Sequence, residues 1–85
     1  MDKSLRRREW AALLLVLRQV RREAGLRQID LAERLGRPQP LVSDLERGQR
    51  RLDVVELRMI CHALGLSLEE FIRRWEERLR DDLSG

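Results

Sequence analysis

Residues 28–47 read QIDLAERLGRPQPLVSDLER. Helical spacing turns Ile29, Leu31, Ala32 and Leu35 to one side of the first half, and Leu41, Val42 and Leu45 to one side of the second. Gly36 stands between them, able to take the positive φ that closes a helix, and a turn of three or four residues follows. Ala32 is small where two helices must approach closely. The stretch predicts a short helix over Gln28 to Leu35, a tight turn, and a second short helix that begins near Gln39 or Pro40 and ends at Arg47 or Gly48. The bland alternative is an ordinary corner between two helices of a small bundle.

The same punctuation continues outward. Gly25, Gly48 and Gly65 each follow an apolar-periodic stretch, so with Gly36 they cut the chain into five helices. No β-branched run alternates with period two, and an all-α domain without strands is expected. The first helix should run from about Leu5 to Ala24, with Trp10, Leu13, Val16, Leu17, Val20 and Ala24 inward and Leu15 opposite. The second is poorly capped, because Arg27 stands where Ser or Thr would serve, at a cost of about 1 kcal/mol. Asp53 to Glu56 reads as a capping box opening a fourth helix that closes at Leu64 and Gly65, and Ser67 to Glu70 repeats the device before a fifth. The fifth carries the stripe Leu68, Phe71, Ile72, Trp75, Leu79 and Leu83. One domain is expected over residues 1–85, with its core at about 10–80.

Composition narrows the function. A chain of 85 residues buries only about 60% of its unfolded surface, which leaves a marginal core and favours self-association. One cysteine, Cys61, cannot form an internal disulfide, and nothing at the N-terminus resembles a secretory signal, so a cytoplasmic setting is expected. The longest apolar run, Trp10 to Leu17, has eight residues against the roughly 18 to 20 needed to cross a bilayer. One His, no Tyr and no glycine-rich loop leave little from which to build a metal site or a nucleophile pair, so neither an enzyme nor a cofactor is expected. Cys61 belongs to the core stripe of the fourth helix and His62 to its solvent side. Residues 1–52 hold 13 basic and 7 acidic side chains and residues 53–85 hold 5 and 8, so one part of the molecule suits an anionic polymer and the other does not.

The stretches LRQVRREAGLRQIDLAERLG, RPQPLVSDLERGQRRLDVVEL and ALGLSLEEF, from Leu17 to about Phe71, resemble the phage-repressor-like (Cro/cI-type, or XRE) helix-turn-helix domains. The resemblance implies a compact five-helix repressor-like fold in which helices two and three form the helix-turn-helix and the third lies in the major groove of DNA. It places Gln28 where the family holds a phosphate and buttresses the recognition helix, and Gln39 where an amide can pair with adenine N6 and N7. Pro40 and Ser43 share that surface, Ser43 able to reach a base edge or a phosphate. Arg27, Arg37, Arg47, Arg50 and Arg51 become backbone contacts that lend affinity without sequence information. Glu46 matches a structural residue. Pro38 and Pro40 bracket Gln39, so the recognition helix could start only at Pro40 with Gln39 as its cap, re-aiming that side chain. Asp44 on the DNA face either reads a cytosine N4 or weakens binding.

Apolar residues left outside the core stripes point to a partner. Val55, Met59, Trp75 and Leu79 are the expected contacts of a symmetric homodimer, with the C-terminal helix over 68–83 as its candidate element and two recognition helices about 34 Å apart. The alternative for Trp75 is to fold back on its own subunit. The implied function is a sequence-specific regulator of transcription on double-stranded DNA, most simply a repressor or autoregulator reading a palindrome, as in small restriction-modification controllers and phage repressors. An antitoxin-like or adaptor protein that binds a second protein partner is the competing reading; neither involves a membrane.

Overall fold

A computed structural model describes residues 3–84, which hold five helices and no strand: α1 (Lys3–Glu23), α2 (Gln28–Leu35), α3 (Gln39–Glu46), α4 (Val54–Leu64) and α5 (Leu68–Ser84). Helix α1 lies against α3 and α5, α2 against α3 and α4, and α4 against α5. All four glycines expected to end a helix adopt positive φ. Gly36 and Gly65 close α2 and α4 in the left-handed conformation, their N–H groups and those of the next residues satisfying the last carbonyls.

The core follows from the stripes. Leu13, Val16, Leu17 and Val20 of α1 meet Leu31 and Ala32 of α2, Val42 and Leu45 of α3, and Leu57, Ile60, Cys61 and Leu64 of α4. Phe71 of α5 is completely buried among them. Burial pushes the Cys61 thiol up to about 11, so it behaves as a small apolar side chain, while His62 faces solvent. Two inward assignments are corrected. Ile29 is exposed, because it lies two positions and so about 200° around the helix from Leu31; Leu26, ahead of the helix, packs on the core instead. Ala24 is exposed in the turn, since α1 ends at Glu23. The side chain of Leu83 lies outside the described residues.

The helix starts show three ways of satisfying free N–H groups. At α4 the box is complete: Asp53 Oδ1 accepts from the Glu56 N–H at 2.8 Å, and Glu56 Oε1 accepts from the Asp53 N–H at 3.1 Å. At α5 it is half a box: Ser67 Oγ accepts from the Glu70 N–H at 3.1 Å, but the Glu70 carboxylate turns to Arg73 and Arg74. At α2 the other half is present. Arg27 has no acceptor to offer, yet Asp30 takes the Arg27 backbone N–H at 2.8 Å and its guanidinium at 3.0 Å, so the start is less bare than the residue type predicts.

Gly48, just beyond α3, is the glycine with no substitute. Its φ is +76°, and a Cβ there would stand 3.0 Å from Leu14 Cδ1 and 3.4 Å from Trp10 Nε1. Gly48→Ala should cost about 1–2 kcal/mol for the left-handed backbone alone, with the crowding of Leu14 added. Urea unfolding should show a lower midpoint at unchanged slope; an unchanged midpoint would contradict the strain.

Candidate nucleic-acid interface

The recognition helix starts one residue earlier than the paired prolines suggest. Pro38, in extended geometry, is the N-cap, and Gln39 is the first helical residue. Pro40 falls at the second position, where its missing N–H has no intrahelical partner to lose. Gln39 is therefore not displaced into a cap. It sits exposed in the first turn of α3, and its side chain is held.

What holds it begins in the core. The Glu46 carboxylate, almost wholly buried at the end of α3, takes Arg21 Nε at 2.6 Å and Arg21 Nη2 at 3.0 Å. Arg21 Nη1 donates to the Leu26 carbonyl at 2.7 Å, and Arg18 Nη2 donates to the Glu46 carbonyl at 3.1 Å. The pair thus fastens α1 to α3 and to the turn before α2. Burial alone would raise the Glu46 pKa, but hydrogen bonds from Arg21 and Gln28 and the charges of Arg21 and Arg18 outweigh it and hold the carboxyl below its ordinary value.

From Glu46 the chain of contacts runs outward. Gln28 Nε2 donates to Glu46 Oε1 at 3.1 Å, and Gln39 Nε2 donates to Gln28 Oε1 at 3.0 Å. An ionised carboxylate can only accept, so Gln28 must turn its NH2 inward and its carbonyl toward Gln39. Gln39 must then give one N–H to Gln28, leaving its Oε1 and second N–H for another molecule. A buried charge fixes the polarity of a surface amide.

The cations fall into two groups. Arg27 pairs with Asp30 at 3.0 Å, Arg47 with Asp44 at 2.6 Å, and Arg50 with Glu56 at 3.0 Å. Exposed pairs of this kind are worth about 0–1 kcal/mol, so a phosphate could displace them. Arg37 and Arg51 are exposed and form no ion pair among the described residues. Asp44 was expected to read cytosine or to repel phosphate; in the structure its charge is already met by Arg47. Ser43 and Asp44 are half-buried and Pro40 is exposed on the same helix.

The four apolar residues expected at a dimer contact separate likewise. Val55 and Met59 of α4 are 65% and 54% exposed. Trp75, by contrast, packs on its own core and donates its indole N–H to the Glu9 carbonyl at 3.0 Å, which ties α5 to α1 within one chain. It thus folds back on its own subunit, the alternative allowed for it, while staying half-buried. Leu79, half-buried, lines a small cleft with Leu5, Arg8 and Glu9 of α1.

Sequence reasoning missed Arg21. Its signal was available: it follows Val20 on the inner side of α1, where only a buried acid could answer it, and Glu46 follows the core residue Leu45 in the same manner. Among the described residues no helix is long and apolar enough to cross a membrane, and no three His, Cys, Asp or Glu residues group as metal ligands.

Known proteins are similar to this chain in sequence and fold. A family model described as helix-turn-helix matches residues 17–71. An uncharacterized HTH-type transcriptional regulator of Sinorhizobium fredii, y4dJ, is 40% identical over 58 residues, covering 68% of this chain and 75% of that protein. Among solved structures, an XRE-family like protein from Pseudomonas syringae pv. tomato superposes with a TM-score of 0.82 at 39% identity, over 88% of this chain and 92% of that one. The restriction-modification controller protein C.Esp1396I, solved as a tetramer with its natural 35 base-pair operator, superposes with a TM-score of 0.76 at 26% identity, over 82% of this chain and 92% of that one. Matched over more than half its length, with the two short helices and their turn in place, the chain belongs to the XRE-type helix-turn-helix family.

Proposed function

We propose that this protein is a sequence-specific regulator of transcription that inserts α3 into the major groove of double-stranded DNA as a homodimer on a palindromic operator. The observation that carries the reading is the hydrogen-bonded chain from Arg21 through Glu46 and Gln28 to Gln39. It delivers to the exposed start of α3 an amide with one acceptor and one donor free, the pattern that adenine N6 and N7 complement. The operator complex of the similar controller protein supports the same direction. Repression, by covering the operator and excluding polymerase, is the simplest action for a domain of this size.

Val55 and Met59 support the dimer, because each would gain about 1.5–3 kcal/mol on full burial. A second copy related by a two-fold axis would cover both and repeat α3 on the next turn of the duplex. Selection of bound duplexes from a random pool tests the whole reading. The expected product is a pair of inverted half-sites about 10 base pairs apart, centre to centre. Enrichment of no sequence would overturn it.

A further inference from the structure

A second group of cations lies outside the helix-turn-helix. Arg6, Arg7 and Trp10 of α1 face Gly48, Arg51 and Leu52 of the loop after α3 across a cleft of about 320 Å³. We propose that this cleft is a phosphodiester site that grips the DNA backbone beyond the C-terminal end of α3. The proposal rests on the regulator reading above and adds Arg6, Arg7 and Trp10 to the contact surface.

Charge is the first argument. Among the described residues the three guanidiniums have no ion pair and no acidic side chain lines the cleft. Arg8, Arg22, Arg37, Arg58 and Arg80 likewise form no ion pair among the described residues, so what marks this cleft is that three such cations line one concavity. Three guanidiniums lining one cleft repel one another. An anion entering between them relieves that repulsion.

Shape and position are the second argument. Gly48 has no side chain to fill the cleft, and the indole N–H edge of Trp10 lies against it, so the described walls offer donors and no acceptor side chain. The loop carrying Arg51 leads directly from α3. A helix seated in a groove about 12 Å wide has a phosphate strand on either side. Gln28, ahead of α3, stands toward one strand, and the loop with Arg51 toward the other, which the first turns of α1 then extend.

The test compares the full chain with Arg6→Gln/Arg7→Gln on the selected duplex and on a scrambled one, between about 50 and about 200 mM salt. Each lost phosphate contact removes about 0.9 from the slope of log affinity against log salt. The double variant should therefore lose about 1.8 per protomer, or about 3.6 for the dimer, so its affinity falls roughly 150-fold less across that salt range, equally on both duplexes. Arg6→Lys/Arg7→Lys should restore the slope, which separates charge from structural damage. In a Trp75→Phe background, Trp10 emission should respond to duplex and not to inorganic pyrophosphate. An unchanged slope with wild-type binding intact overturns the clamp and leaves the regulator reading standing. Response to pyrophosphate with an unchanged slope assigns the cleft to a small phosphate ligand instead. Absence of any complex between the wild-type chain and duplex removes both readings together.

Discussion

Replacing Arg21 by Met is expected to remove about 3–5 kcal/mol of folding stability, a large part of what a small domain possesses. The Arg21 side chain is 8% exposed and that of Glu46 1%, so water cannot take over when the guanidinium is withdrawn. Glu46 would lose its two shortest hydrogen bonds and keep only Gln28 and the longer 3.6 Å pairing with Arg18, and the Leu26 carbonyl would lose its donor. The expected measurement is a urea unfolding curve with a much lower midpoint. Arg21→Met/Glu46→Leu should recover a good part of the loss, because two apolar side chains strand no charge. A single substitution costing under about 1 kcal/mol would show that the pair behaves like a surface bridge. Acid should act on the same bond. The folded-state pKa of Glu46 lies below its ordinary value, so the contribution is complete above the usual glutamate range, about 4.3, and disappears as pH falls through the depressed value.

Gln39→Ala should lower discrimination at one base pair by about 1–3 kcal/mol, roughly five- to 150-fold in relative affinity, with little change in binding to unrelated sequence. Competition titrations of the selected operator against its single-base variants would measure this. The tether makes a further demand. Gln28→Ala leaves Gln39 in place but releases its amide, and part of the same discrimination should go with it. Should Gln39→Ala preserve every base preference, the amide does not read DNA and the reading of α3 fails at its first residue.

Much of this was legible from spacing. The five helices, the turn at Gly36 and the capping box at Asp53 follow from local rules, because periodicity and backbone conformation are properties of neighbours in sequence. What spacing did not show was decided by which side chains met in the folded chain, some of them near neighbours and some far apart. Arg27 offers no acceptor, as its residue type implies, but Asp30 takes its N–H, and Asp44 is paired with Arg47. The start of α3 depended on Pro38 serving as cap, which the rule for residues preceding proline does not foresee. Trp75 seemed to lack a place because the Glu9 carbonyl that receives its N–H lies 66 positions away. Arg21 and Glu46 are 25 positions apart, and only the folded chain brings them together.

The pairing of Arg47 with Asp44 and of Arg50 with Glu56 has a consequence for how such a molecule would find its target. Each pair has no net charge, so while it stays closed it displaces no condensed cations from a duplex it merely brushes against. Random stretches of DNA would hold the protein loosely and let it slide onward. At a site where α3 docks fully, the backbone phosphates are close enough to draw both arginines away from their acids. The protein would carry its own brake on indiscriminate sticking, released only by a good fit.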